Sequence, residues 1–345
     1  MTAFNGADFK GVELAEKVEK DGYFIIEDYF PLDDVMSVRK ELEAIMDADV
    51  AHREENKLGV RRFTEEGNTY STLTPVIHSI MHSLWQSPGL RTFFERVFTD
   101  PEIKEFTRRV IGERFRIRAD IVRRATGAND YIDDFQIPHQ WHRDSTGEFA
   151  FGIFFDDFSP DLSGGTGVMK GTHWRGYSPQ FDFVFSDNCL AGQKYVHDKR
   201  KRIKFLNPVV EKMCVINSRF KDQFRDSRVE LKGRPGGLYF FLNETWHGRM
   251  PNIHGGKNML VRWGGFASEF AFKDDRPLPG PTSILPPVVA QHYQPDQAPN
   301  TDPTTLLQRM RAAQEEDRNK MNMAKAAYWE KQTARFISHT IRMVA

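Results

Sequence analysis

The chain has 345 residues, and its 48 Lys and Arg balance 48 Asp and Glu. It is long enough to bury a sizeable core, and its zero net charge gives no bulk attraction for nucleic acid or an acidic surface. Two cysteines, Cys189 and Cys214, cannot build a disulfide scaffold. No run nears the roughly 18 apolar residues of a membrane span, and the first residues lack the apolar stretch of a signal peptide. The expectation is a cytoplasmic protein with no nucleic-acid or membrane partner.

Residues 10–50 read as helix, strand, helix. VELAEKVEK runs into a turn at Asp21-Gly22, YFIIEDYF is a strand, and DDVMSVRKELEAIM is a helix with its acidic pair in the first turn, where it suits the helix dipole. Residues 51–75 are polar and read as loop. Residues 76–112 read as helices broken near Pro88 and Pro101. From 114 the period changes to two. In RFRIRADIVRRA, Phe115, Ile117, Ala119 and Ile121 alternate with Arg116, Arg118, Asp120 and Val122, as in a half-buried strand. GEFAFGIFFDDF is a second strand with Phe149, Phe151, Ile153 and Phe155 on one face. TGVMKGTHW is a short strand ending at Gly171, and GGLYFFLNETWH and NMLVRWGGF are further strands. Residues 177–230 lack clear periodicity and read as a lid or insertion. Residues 274–303 hold eight prolines and cannot be sheet interior. A long helix closes the chain. Its Leu306, Leu307, Met310 and Ala313 share a face that suits either packing on the body or a homodimer contact. The domain reading is therefore 1–273 as one unit, with 274–345 as an extension.

The residues that carry chemistry are His142 and Asp144 in QWHRDSTGEF and His247 in NETWHGRM. In a strand, residues i and i+2 point the same way, so His142 and Asp144 can share a face while Arg143 turns away. His247 follows Asp144 by 103 positions and needs a second strand folded back beside the first. Two histidines and one carboxylate are the facial ligand set of iron(II), leaving the opposite face open. Spacing alone leaves an equal alternative: a solvated turn at 142–144 and a core histidine at 247.

The flanking motifs tip that balance. QWHRD, an apolar strand ending in Asp156-Asp157, SGGTGVMKGTHWRG and PGGLYFFLNETWHGRMPN follow one another in that order. They resemble the phytanoyl-CoA dioxygenase-like family of Fe(II)/2-oxoglutarate oxygenases, and KDGYFIIEDYFPLDDVMSVRKELE resembles that family's opening. The resemblance covers 16–45 and 114–266. It implies a mainly β fold with flanking helices around a double-stranded β-helix, the cupin-like jelly-roll. It also implies iron(II) on His142, Asp144 and His247, with 2-oxoglutarate and O2 as cosubstrates, and hydroxylation of a small molecule with release of succinate and CO2. An aspartate at 144 argues against halogenation, where a small residue takes its place; desaturation, epoxidation and ring formation stay open.

One position departs from the pattern. The Arg expected about eleven residues after the last His, to grip the distal carboxylate of 2-oxoglutarate, is Asn258 here. Arg262 shares a strand face with Asn258 and is the first candidate, since a guanidinium grips a carboxylate with two parallel hydrogen bonds that a lysine cannot copy. Lys257 is the second and Arg249 the third. Thr166 could also reach the cosubstrate, although a turn role fits it better. His173, His139, His254, Trp141 and Trp246 read as structural or flanking groups. Arg116, Arg118 and Asp120 read as a solvated sheet face, with the pocket mouth as the alternative. Two other classes stand beside this reading. One is a 2-oxoglutarate-independent metalloenzyme on the same kind of barrel, motivated by the missing Arg. The other is a non-catalytic binding protein, motivated by the proline-rich stretch and terminal helix.

Overall fold

A computed structural model describes residues 3–56, 61–63, 70–73, 77–81, 87–112, 115–126, 147–174, 227–250, 252–254, 257–267, 305–316 and 319. Among these, twelve strands make two sheets. The larger holds β1 (Phe4–Asn5), β2 (Tyr23–Glu27), β3 (Arg61–Phe63), β4 (Tyr70–Leu73), β5 (Ile77–Met81), β6 (Phe115–Thr126), β7 (Glu148–Phe154), β10 (Leu238–Leu242) and β12 (Lys257–Ala267). Its order is β1-β2-β10-β7-β12-β6-β5-β4-β3, and every pairing is antiparallel except β1 with β2. The smaller sheet is β11 (His247–Arg249), β8 (Thr166–Met169) and β9 (Arg228–Glu230), in that order.

Strand alternation sorts the core into two faces. On one face Phe24, Ile26, Phe149, Phe151, Ile153, Phe155, Leu238, Phe240, Leu242, Val261 and Trp263 are buried in a single cluster. Helices cover this face: α1 (Gly11–Asp21), α2 (Leu32–Glu55), α3 (Pro88–Thr99) and α4 (Pro101–Val110). The helices fit because their apolar residues recur at helical spacing. Leu14 and Val18 of α1, Leu90, Phe93, Phe94 and Val97 of α3, and Ile103, Phe106 and Val110 of α4 are all buried in that cluster. Phenylalanine dominates the contact. Phe240 stacks on Phe24 at 5.4 Å and meets Phe106 and Phe151 edge-on at 4.8 and 4.9 Å, geometries that suit the ring quadrupole. On the other face Tyr23, Ile25, Ala150, Phe154, Tyr239, Phe241 and Leu260 share a core with Val168 of the smaller sheet and Leu231, which directly follows β9. The two sheets therefore face one another there.

Phe149, Phe151 and Ile153 of β7, with Phe155 just after it, lie together as expected. Pro88 and Pro101 do not break helices; they start them. Ser87 accepts the Leu90 N–H at 3.0 Å, and Asp100 accepts those of Glu102 and Ile103 at 2.9 and 3.2 Å, so each proline sits where a missing N–H costs nothing.

Four expectations are corrected. The stretch 51–75 is not all loop: α2 continues to Glu55, and β3 and β4 follow. Residues 77–81 are not helical; they form β5, hydrogen-bonded to β6. Apolar residues at helical spacing carry no information about a neighbouring strand that needs an edge partner. The alternation of β6 also breaks. Ala119 pairs with Gly264 but Ile117 with Gly265, which leaves Arg118 as the extra residue of a bulge. A bulge inverts the face order beyond it, and Phe115 and Val122 are accordingly buried in the same cluster. The presumed insert 177–230 is shortened at its end, since Arg228–Glu230 is β9; residues 175–226 lie outside the described residues, as do 268–304.

The terminal helix, α5 (residues 306–316), packs on the chain itself. Leu306, Leu307 and Met310 are buried in the helix-side cluster, so the face considered for a homodimer is consumed within the chain. Arg309 reaches Glu19 of α1 with two hydrogen bonds of 2.5 and 2.8 Å. No helix among the described residues is long and apolar enough to cross a membrane.

Candidate active site

Three neighbouring strands build the site from a single row of residues. Tyr239 of β10 pairs with Gly152 of β7, and Gly152 pairs with Arg262 of β12. Gly152 has no side chain, and a Cβ there would collide with the Tyr239 ring. The ring therefore lies across the glycine, on the face that Arg262 shares. The Tyr239 hydroxyl is buried beside Thr166 and the Arg262 guanidinium, with no hydrogen bond of regular geometry among the described residues. Burial pushes its pKa up, outweighing the lowering by Arg262, Thr166 and Arg123, so it stays a protonated donor at neutral pH. Thr166 itself is buried at the start of β8, opposite Arg249 of β11. A guanidinium, a phenol and a threonine hydroxyl thus converge in an apolar wall, the donor set that a carboxylate requires.

One row along, Phe241 links this cluster to His247. The Arg262 guanidinium carbon lies 5.9 Å from the centre of the Phe241 ring, and the Phe241 and His247 rings are 4.9 Å apart. His247 is buried at the start of β11, and its Nδ1 is 2.9 Å from the Thr245 carbonyl. A carbonyl only accepts, so Nδ1 carries the proton and the lone pair resides on Nε2, the tautomer of a metal ligand. The imidazole thus fits iron(II).

His142 and Asp144 lie outside the described residues, and among the described residues no three His, Cys, Asp or Glu side chains come together. The flanks of that segment are described. Gly147, at φ +78°, donates its N–H to Glu244 at 2.7 Å, and Asn243 N–H donates to the Glu148 carbonyl at 2.9 Å. Asp144 is three residues before Gly147, and His247 is three after Glu244. The described residues that flank the two candidate segments, Gly147 and Glu244, are therefore hydrogen-bonded to one another at one end of the sheets.

The remaining candidates divide. Asn258 does not face a ligand: its side-chain amide donates to the Ser163 carbonyl, which holds the turn before β8. The side chains of Lys257 and Arg249 lie outside the described residues, as do those of Arg116, Arg118 and Asp120, and all of His139 and Trp141. His173 is structural. Its Nε2 is 3.0 Å from the Glu19 carbonyl, which the Trp174 indole also reaches at 2.8 Å. His254 is exposed, with Nε2 2.8 Å from the Asp161 carbonyl. Trp246 is buried packing. Gly164 takes a positive φ of 84° in the turn into β8. Sequence reasoning missed Tyr239. The only sequence signal was a tyrosine in an otherwise apolar strand, and its value depends on Gly152 lying beside it in the fold.

A model of the family described as phytanoyl-CoA dioxygenase (PhyH) matches residues 18–256, more than half of the chain. The chain belongs to that family. It is an Fe(II)- and 2-oxoglutarate-dependent oxygenase, with O2 as the oxidant. No curated protein matches it. Solved structures similar to it include EctD from S. alaskensis with 2-oxoglutarate and 5-hydroxyectoine. That protein is 17% identical, with 78% of this chain and 83% of that one covered, at a TM-score of 0.47. The carbocyclase SnoK from nogalamycin biosynthesis is 15% identical, with 78% and 88% covered, at 0.45. HygX from Streptomyces hygroscopicus, with nickel and 2-oxoglutarate bound, is 12% identical, with 74% and 86% covered, at 0.44.

Proposed function

We propose that this oxygenase hydroxylates an unactivated C–H bond of a small-molecule metabolite, releasing succinate and CO2. His142, Asp144 and His247 hold the iron, and Arg262 grips the distal carboxylate of 2-oxoglutarate. The observation that supports this best is the cross-strand row Tyr239–Gly152–Arg262, with Thr166 beside it and Phe241 leading from it to His247. The two facing sheets are read as a double-stranded β-helix within an oxygenase domain of residues 1–273, extended by 274–345.

The iron, when bound, supplies the activation of O2 that no amino-acid side chain can perform. The chain's own residues bind and orient. Arg262 offers two parallel N–H donors to the distal carboxylate, and its charge is a permanent one. Tyr239 and Thr166 donate to the same group from the side, and Phe241 fills the span between that anchor and His247. The wall of Phe154, Leu260 and Val168 excludes water and lowers the local dielectric, which strengthens every one of these contacts. The Thr245 carbonyl keeps the His247 imidazole in one tautomer and one orientation.

Anaerobic titration tests the reading. The wild-type protein, loaded with iron(II), is expected to develop the visible absorption of an iron-bound 2-oxo acid on addition of 2-oxoglutarate. His142→Ala, Asp144→Ala and His247→Ala should each abolish it. A band that persists in all three variants would overturn the ligand assignment. The same titration on Arg262→Ala and Lys257→Ala separates the two carboxylate anchors.

A further inference from the structure

The terminal helix reaches the site through a buried polar chain. Gln314 of α5 is fully buried. Its side-chain amide nitrogen donates one hydrogen to the His173 carbonyl at 2.6 Å and the other to a Glu244 carboxylate oxygen. Both hydrogens are used, so the orientation of the amide is fixed. The second oxygen of Glu244 accepts the Gly147 N–H at 2.7 Å. Glu244 is 2% exposed and stands in the turn between β10 and β11, where the Thr245 N–H closes on the Leu242 carbonyl at 2.8 Å. The carboxylate is therefore a clamp with two jaws. One holds the residue that opens β7 directly after the 142–144 segment. The other is held by a helix that lies beyond the family-matched region, which ends at residue 256.

We propose that Gln314 and Glu244 are positioning residues for the metal centre, and that the terminal helix completes the oxygenase site rather than merely extending the chain. The inference rests on the ligand assignment above. A buried carboxylate that accepts two N–H groups is held by charge-assisted bonds, and removal of the Gln314 donor loosens its hold on Gly147. The Gly147 end of β7 is then tied less firmly to the turn before β11, with the bond from the Asn243 N–H to the Glu148 carbonyl still in place. Outer-shell groups of this kind alter metal affinity about 10- to 100-fold. Leu307, on the same helix, packs against apolar side chains and should lack this effect.

The test is a cobalt(II) chloride titration of the full-length apo protein, followed by d–d absorbance, with thermal unfolding measured in parallel. Gln314→Met keeps the side-chain volume and removes both hydrogen bonds. It should weaken cobalt(II) binding about 10- to 100-fold and change the band shape. Glu244→Gln should do the same, since an amide cannot accept at both ends. Leu307→Ala should unfold at lower temperature yet bind cobalt(II) within about twofold of wild type while folded. Wild-type affinity and band shape in both Gln314→Met and Glu244→Gln would overturn the proposal. So would an affinity loss in Leu307→Ala as large as theirs, because the effect would then be one of general stability. If the wild-type protein binds no cobalt(II), the ligand assignment itself fails and takes this inference with it.

Discussion

Tyr239 carries a hydroxyl that is buried against Thr166 and Arg262 without a regular hydrogen bond among the described residues. Such a group destabilises the ligand-free fold by about 1–3 kcal/mol. Tyr239→Phe should therefore raise the melting temperature of the apo protein slightly while weakening 2-oxoglutarate binding several-fold. Calorimetric unfolding and anaerobic titration read the two effects separately, and equal signs would remove Tyr239 from the site. Arg262→Lys is expected to raise the KM for 2-oxoglutarate by at least about tenfold, because a point charge cannot reproduce a bidentate grip. An unchanged KM would transfer the anchor elsewhere. Gly152→Ala should cost about 1–3 kcal/mol by overpacking and disturb 2-oxoglutarate binding, since the new methyl collides with the Tyr239 ring. Arg262 was a candidate in the sequence from the family resemblance together with strand parity. Tyr239 was not, because its partner glycine is 87 positions away.

Among the elements, α5 is held by two unlike contacts that experiment can tell apart. Leu307 is 2% exposed in the core cluster, and Leu307→Ala should cost about 2–4 kcal/mol in transfer and cavity terms. The Arg309–Glu19 pair is more than 40% exposed on both sides, so Arg309→Ala should cost less than about 1 kcal/mol, and less still in high salt. Its pH dependence has a definite sign. The hydrogen bonds from Arg309 hold the Glu19 carboxyl below its usual range, so the pair supports the fold above the unfolded value near about 4.3. That support is lost as pH falls through the lower folded value. Hydrogen-exchange protection factors across 306–316, corrected for the intrinsic pH dependence of exchange, should therefore fall in acid, and Arg309→Ala should flatten that response. Most elements could be read from periodicity, β7 most clearly. β5 and the β6 bulge could not, since both depend on which strand lies alongside.

At the scale of the whole molecule, one apolar face is shared by the larger sheet and the helices, the opposite one by the two sheets. Tyr239 and Phe241 of the proposed site lie on the second, so helix substitutions should change stability more than chemistry, except where α5 reaches Glu244. Removal of residues 305–345 would expose Leu306, Leu307 and Met310's partners and unseat Gln314 together. The truncated protein should melt lower and bind cobalt(II) more weakly, as the same titration would measure. The sequence by itself determined the family and the period-two strand β7, and it proposed the iron ligands and Arg262. The strand follows from parity along the chain, and the family and its expected ligand set from motifs that resemble it in order and separation. Only the tertiary structure decided that α5 folds back onto its own chain, that Asn258 braces a turn, and that Tyr239 lies across Gly152 toward Arg262. Each of these depends on contacts between distant segments, whose energy comes from burial and hydrogen bonding that no stretch of chain contains alone.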